Sequence, residues 1–167
     1  WPTPSGQNLE ALELLQQAAN KGYAKSIGIS NYTIAMMEEA CATLDDMPVC
    51  NQVEFHPYLD QSKLFAAATR LGISLSAYCP LAKGRIFGDP VIKTLAAKYN
   101  RSEAQIILRW IVQKGVSANP MSTKPENLRA NLETLSFTLS APDSATIDRL
   151  GEKGLRIVDK DRMPIAP

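Results

Sequence analysis

Polar and aromatic residues stand where the predicted strands of this sequence end. Ser30 and Asn31 follow the first strand, Gln52 lies in the second, Tyr78 closes the third and Ser122 follows the fourth. Amide and hydroxyl side chains can together hold a carboxamide, because they offer both donors and acceptors. The face of a tyrosine ring can stack on a flat heterocycle. Neither property is specific by itself, but strand ends in a parallel α/β fold converge on one face.

Helical and strand-like segments alternate along the chain. Apolar residues at helical spacing predict a first helix over residues 8–19, and short, nearly all-apolar runs predict the strands. Such alternation is typical of a parallel sheet with helical crossovers. The predicted strands are 23–29, 49–53, 73–78 and 116–119. The predicted helices are 8–19, 33–44, 62–71, 90–99, 102–115, 125–134 and 140–150.

Four parallel strands by themselves leave an architectural problem. With helices on one side only, they would expose an apolar face and two unpaired edges. In a (β/α)8 TIM barrel, that face packs against four more strands. A small open Rossmann-like sheet is the competing architecture, but it normally carries a glycine-rich loop after its first strand. The sequence contains no GxGxxG motif, which favours the barrel.

Composition excludes several classes of function. The chain has 167 residues, 45% of them hydrophobic and 21% charged, with a net charge of +1, so nucleic acid and anionic membranes are not expected as main partners. Cys41, Cys50 and Cys79 are widely spaced and distant in sequence from His56, which predicts reduced thiols in a cytoplasmic protein and no metal site. The chain opens with Trp1 rather than methionine, which suggests part of something longer.

The residues of five sequence blocks, and the order of these blocks, make the pattern of polar strand ends specific. Five blocks occur in the order found in the aldo-keto reductases, and the sequence resembles bacterial diketogluconate-reductase-like members of that family. The resemblance implies the C-terminal half of a (β/α)8 barrel, from just after the fourth strand, with strands 5 to 8. Residues 1–167 would form that half, with 151–167 as its tail. The blocks are KSIGISNY (25–32), NQVEFHPYL (51–59), AYCPLAKG (77–84), SEAQIILRW (102–110) and PMSTKPENLRANLETLSFTLS (120–140).

The resemblance assigns roles at the nicotinamide end of a cofactor. Ser30, Asn31 and Gln52 match residues that hydrogen-bond the nicotinamide carboxamide in this family. Tyr78 matches the aromatic residue that stacks on the nicotinamide ring. Trp1 falls near the expected substrate pocket and is a candidate for its wall.

The resemblance also traces the remainder of the cofactor. Cys79 and Leu81 match the path of the pyrophosphate, although serine is commoner at the first position and a thiol is a weaker donor. Ser122 and Asn131 match positions that contact the adenosine end.

Two positions depart from the pattern of NADPH-preferring members. Lysine and arginine clamp the 2′-phosphate in many of them, whereas this chain has Met121 and Asn127. Without these cations, the charge-assisted bonds that favour NADP over NAD are missing. Lys124 or Arg129 could compensate, because both are close in sequence. We therefore expect relaxed or NADH-leaning cofactor use.

The implied function of the complete protein is NAD(P)H-dependent reduction of aldehyde or ketone carbonyls. No residue here matches the family's catalytic aspartate, tyrosine, lysine and histidine, which belong to the N-terminal half of the barrel. We expect that missing half as the partner, and we expect this chain alone to be inactive. The alternative is a non-catalytic half-barrel that binds a dinucleotide or self-associates. His56 is predicted to be structural, and the charges at 153–162 to form a solvated tail.

Overall fold

The computed structural model describes residues 1–3 and 7–158. Within them, seven helices and four short strands alternate much as predicted, accompanied by short 3-10 turns. The helices are α1 (Asn8–Asn20), α2 (Ile34–Thr43), α3 (Ser62–Leu71), α4 (Pro90–Tyr99), α5 (Glu103–Gln113), α6 (Pro125–Glu133) and α7 (Ala141–Asp148). The strands are β1 (Ile29–Ser30), β2 (Cys50–Glu54), β3 (Ser74–Tyr78) and β4 (Ser117–Ala118).

The strands form one sheet in the order β1-β2-β3-β4, as expected for strands joined by helical crossovers. β1 and β2 are parallel, with Ile29 opposite Asn51 and Ser30 opposite Gln52. A parallel four-stranded sheet agrees with the predicted α/β class.

β1 is much shorter than predicted. The apolar run suggested a strand over 23–29, but the ladder covers only Ile29–Ser30. Upstream, the Val49 amide still donates to the Ile27 carbonyl at 2.9 Å. Tyr23, by contrast, is 80% exposed, so the start of the run has no burial to hold it in a strand. β1 lies at the edge of the sheet and has only β2 to pair with.

The chain divides into two compact units. The first contains residues 1–53 and 62–76 together with Val158, and its described part includes α1, α2, α3 and β1. Its fully buried side chains include Leu12, Met37 and Val53. The second contains residues 54–61 and 77–157, with α4 to α7 and β4. Its core is rich in isoleucine, with Ile92, Ile106, Ile107, Ile111 and Ile147 all fully buried.

Side chains of the first unit alternate between the two faces of the sheet. One face is buried and mostly apolar, as at Val53 and Leu75. The other face carries small or polar side chains that are exposed or half-buried, namely Ser30, Gln52 and Ser76. Since successive side chains of a strand point to opposite faces, this alternation aligns the predicted polar residues on one side.

Capping residues set several helix boundaries of the second unit. Ser102 and Gln105 form the predicted capping box at the start of α5, each side chain bonding the other's backbone amide. Ser140 accepts the amide of Asp143 at the start of α7. The Asp143 carboxylate also accepts from Lys98 of α4 at 2.7 Å. Hydrogen bonds from Lys98, Ser140 and Tyr99 lower the pKa of Asp143 to about 2, so α4 and α7 are fastened by an ionised carboxylate at neutral pH.

Candidate functional site

The turn after β1 is hydrogen-bonded to β2 at Gln52. The Ser30 hydroxyl donates to the backbone carbonyl of Gln52 at 2.8 Å, and the backbone amide of Asn31 donates to the same oxygen at 2.9 Å. Both strands end at the same edge because they run parallel. The structure therefore brings together Ser30, Asn31 and Gln52, the three residues predicted to hold a carboxamide.

Asn51, which the sequence analysis did not single out, fixes the same turn from the buried face. Its side-chain amide donates to the Tyr32 carbonyl at 2.9 Å, and its side-chain oxygen accepts the Tyr32 amide at 3.3 Å. Asn31, between the two bonded positions, is buried and adopts the left-handed conformation with φ of 58°. Asparagine tolerates that conformation better than most residues. A polar residue in an apolar strand was the only signal for Asn51 in the sequence.

The Gln52 side chain lies on the open face of the sheet. It is exposed, and its amide nitrogen lies 3.5 Å from the hydroxyl oxygen of Ser76 on β3. At that distance the contact is weak, so the amide remains available to another partner. Ser76 is a second residue of this region that the sequence analysis missed. Its position two residues before Tyr78 in the same strand could have pointed to it.

A cleft of about 580 Å³ opens beside these residues in the first unit. Ile29, Ser30 and Gln52 line it, so the cleft includes residues of both β1 and β2. Trp1, Leu14 and Leu15 form apolar walls, with Trp1 56% exposed and Leu14 59% exposed. The predicted wall residue Trp1 thus shares a cleft with Ser30 and Gln52.

The second unit carries the residues predicted for the stacking contact and the pyrophosphate. Tyr78 is half-buried at the end of β3, and its carbonyl accepts from the Phe55 amide at 3.3 Å. Beyond it, a cavity of about 460 Å³ is lined by Cys79, Leu81 and Lys83. Cys79 and Lys83 both have positive φ, near 50°. The two residues predicted for the pyrophosphate path therefore share one cavity with a cation.

The Cys79 thiol is poorly suited to nucleophilic chemistry. Burial raises its pKa, the nearby Glu54 carboxylate raises it further, and Lys83 offsets only part of that effect. A thiol with a raised pKa is protonated at neutral pH and reacts slowly. Cys79 is therefore a weak hydrogen-bond donor in this cavity rather than a catalytic thiolate.

Residues predicted for the adenosine end lie further along the second unit. Ser122 is half-buried, and its hydroxyl oxygen accepts from the Lys124 amide at 3.2 Å. Asn131 lines a separate apolar cavity of about 120 Å³ together with Thr134. Pro120 lines both this cavity and the larger one, so the two are adjacent. The structure does not bring Ser122 into the lining of either cavity.

The positions of the expected phosphate clamp face solvent. Met121 is 94% exposed, and Asn127 is exposed on α6. Lys124 and Arg129, the possible substitutes, are exposed as well. Charges that remain in water are screened and contribute little until a ligand buries them.

His56 is a structural residue, as the sequence predicted. Its ring is fully buried, and its Nε2 lies 3.0 Å from the Glu54 carboxylate, which is also fully buried. A histidine enclosed in this way has no access to a substrate. Within residues 1–3 and 7–158, the structure contains no cluster of three or more histidine, cysteine or acidic side chains that could hold a metal ion. The three cysteines are free thiols.

Comparison with known proteins identifies the family. The model of the Aldo/keto reductase family matches residues 1–152. The chain is 40% identical over 153 residues to methylglyoxal reductase DkgB of Escherichia coli O157:H7. It is 38% identical over 152 residues to the uncharacterized oxidoreductase YtbE of Bacillus subtilis. The chain therefore belongs to the aldo-keto reductase family.

Solved structures support the same fold. A crystal structure described provisionally as 2,5-diketo-D-gluconic acid reductase B matches all of this chain with a TM-score of 0.94 at 34% identity. A structure of Gox0644 in complex with NADPH matches 98% of it with a TM-score of 0.91 at 33% identity. The aldo-keto reductase AKR2E4 of Bombyx mori, solved with NADP, matches 95% with a TM-score of 0.86 at 30% identity.

The matches cover most of this chain but a smaller share of each relative. About nine-tenths of this chain aligns with DkgB and YtbE, at 90% and 91%, but only 57% and 54% of those proteins is covered. For the first two structures the shares are 59% and 60%. The chain therefore spans somewhat more than half the length of the relatives it matches.

No helix among the described residues is long and apolar enough to cross a membrane.

Asn51 should be important for the stability of the turn after β1. Replacing it with alanine leaves the buried Tyr32 amide and carbonyl without partners, so we expect Asn51→Ala to reduce the free energy of unfolding by about 2 kcal/mol. Urea denaturation measures the change. Asn127→Ala, at an exposed asparagine, is the control and should change it by less than about 0.5 kcal/mol. Equal effects of the two substitutions would contradict this role of Asn51.

Proposed function

We propose that the complete protein is an NAD(P)H-dependent oxidoreductase that reduces aldehyde or ketone carbonyls to alcohols. The observation that carries the proposal is the grouping of Ser30, Asn31 and Gln52 at the carboxyl ends of β1 and β2. This chain is the C-terminal half of the barrel in the proposal, and it supplies most of the cofactor site. The name methylglyoxal reductase of the relative DkgB supports a small reactive carbonyl compound as substrate.

The donors and acceptors of the three residues fit a carboxamide. The Ser30 hydroxyl already donates a hydrogen bond to the backbone carbonyl of Gln52, so its oxygen is left to accept one from the amide nitrogen of a ligand. The exposed Gln52 side chain can donate through its nitrogen and accept through its oxygen. Asn31 adds a side-chain amide held in a fixed backbone conformation. Bound reduced nicotinamide would supply hydride, and these residues would orient its ring.

The remaining predicted residues serve the rest of the cofactor. Tyr78 stacks on the nicotinamide ring in this proposal. The cavity lined by Cys79, Leu81 and Lys83 takes the pyrophosphate, and the ammonium group of Lys83 suits its negative charge. Ser122 and Asn131 contact the adenosine end, and Trp1 contributes to the substrate wall. Each of these roles follows from the family resemblance together with the position of the residue.

The proton for the developing alkoxide must come from residues outside this sequence. His56, the single histidine of the chain, is enclosed with Glu54. The position of β1 at the edge of the sheet supports the missing half as the partner, because an extended strand could pair with that edge. The exposed leucines of α1 would then be covered by apolar side chains of the same strand, as a barrel requires.

Turnover separates the complete protein from this half. We expect the 167-residue chain alone to show no consumption of NADPH or NADH with methylglyoxal, because it lacks a proton donor at the carbonyl. The complete protein should consume the reduced cofactor in the same absorbance assay. Robust turnover by the isolated chain would refute the inactive-half proposal. If the complete protein consumed no reduced cofactor with every aldehyde and ketone tried, the proposed reaction would be refuted.

Gln52 provides a test of the carboxamide site that does not need turnover. We expect Gln52→Ala in the complete protein to raise the dissociation constant for NADPH about tenfold, since the lost hydrogen bonds bind only the ligand. Fluorescence titration with NADPH measures the constant. Gln17→Ala, at an exposed glutamine of α1, is the matched control and should leave it unchanged. If Gln52→Ala binds NADPH as tightly as the native protein, Gln52 is not part of the site.

Met121 provides a test of cofactor preference. We expect the dissociation constants of the native complete protein for NADH and NADPH to be similar, because cations are absent from both clamp positions. Met121→Lys should tighten NADPH binding about tenfold while leaving NADH unchanged, since only NADPH carries the 2′-phosphate. Gln17→Lys adds the same charge at an exposed polar position of α1 and serves as the control. A strong NADPH preference of the native protein would refute the prediction of relaxed or NADH-leaning cofactor use.

A further inference from the structure

The last described residues of the second unit lie along the loop that follows β2. We call residues 151–157 the C-terminal strap. The strap begins in a 3-10 turn that ends at Lys153, and it contains no strand. Gly151 lies against the backbone of Asp60, where an added Cβ would be only 3.3 Å from the Asp60 nitrogen and Cα. The Leu155 amide donates to the Tyr58 carbonyl at 2.8 Å.

Glu54 holds the far end of the strap. Its carboxylate oxygen accepts the Ile157 amide at 2.6 Å and lies 3.0 Å from His56 Nε2. The side chains of Glu54 and His56 are both fully buried. A buried carboxylate is costly unless strong donors surround it. The Ile157 amide is therefore one of the donors that satisfy the buried Glu54 carboxyl group.

The proton positions in the Glu54–His56 pair follow from burial. His56 Nδ1 is buried and has no hydrogen-bond partner among the described residues. With its proton on Nε2, the ring donates to Glu54 and leaves a lone pair at Nδ1. The pair therefore presents Glu54 as an acceptor aimed at the strap.

A second carboxylate holds the beginning of the strap. Asp89 accepts from the Lys153 ammonium group and from the Tyr58 hydroxyl, each at 2.7 Å. The Lys153 ammonium group also lies 3.9 Å from the centre of the Tyr58 ring, a cation–π contact. Burial alone would raise the pKa of Asp89, but these hydrogen bonds outweigh it and hold the pKa below the usual value. Lys153, which was predicted to lie in a solvated tail, is 46% exposed and also forms an ion pair with Asp89. Residues beyond Val158 lie outside the described part.

We propose that the buried carboxylate of Glu54 is a positioning group that fastens the C-terminal strap to the loop after β2. The described contacts that hold the strap include the Lys153–Asp89 ion pair, the Leu155–Tyr58 backbone bond and the Ile157–Glu54 bond. Glu54 therefore determines where the far end of the strap sits. This inference does not depend on the proposed reaction.

Amide hydrogen exchange in the full chain tests the proposal at single residues. Glu54→Gln keeps the size and one oxygen but removes the charge, so we expect the protection of the Ile157 amide to fall about tenfold. Trypsin cleavage after Arg156 should accelerate by a similar factor. The Ile107 amide, in the core of α5, should keep its native protection. Unchanged Ile157 protection in Glu54→Gln would overturn the proposal.

Two further variants keep the test decisive. Glu38→Gln removes the same charge from an exposed ion pair with Arg70 and should alter neither the Ile157 amide nor the cleavage. If Glu54→Gln also exposes Ile107, Ile157→Pro decides, because it removes the strap donor and leaves Glu54 in place. In that variant, about tenfold loss of protection at Leu155 with Ile107 unchanged supports the proposal. Native protection at Leu155 overturns it.

Discussion

Hydrogen bonds from β2 hold the turn of residues 30–32, and the candidate site depends on them. The Gln52 carbonyl binds Ser30 and Asn31 on one side, while the Asn51 side chain grips Tyr32 from the other. The backbone at Asn31 can therefore stay in a left-handed conformation that would otherwise be unfavourable. Because the turn is fixed before any ligand arrives, little ordering is needed on binding.

The site combines strong positioning with an absence of proton-transfer groups. Its polar residues are hydroxyls and amides, which hydrogen-bond a ligand without changing charge at neutral pH. The one histidine is occupied by Glu54, and burial makes the Cys79 thiol less acidic. These features suit the orientation of a bound ligand by hydrogen bonds rather than proton transfer to it.

The order and type of the elements could be predicted because each depends on local pattern. The capping box at Ser102 and the proline start of α6 at Pro125 are short-range signals, and both appear where expected. The length of β1 could not be predicted in this way. An apolar run indicates a strand only if a neighbour and burial are available, and Tyr23 has neither. The ion pair between Lys153 and Asp89 could not be predicted either, because the two residues are distant in sequence.

Sequence by itself determined the family, the α/β class and the identities of the polar residues at the strand ends, because these reside in ordered motifs and periodic patterns. Only the tertiary structure decided which of those residues meet. It joined Ser30 and Asn31 to Gln52, added Asn51 and Ser76, and paired His56 with Glu54, which also accepts from the C-terminal strap. Hydrogen bonds between residues far apart in sequence depend on strand register and burial, and a one-dimensional pattern specifies neither of them.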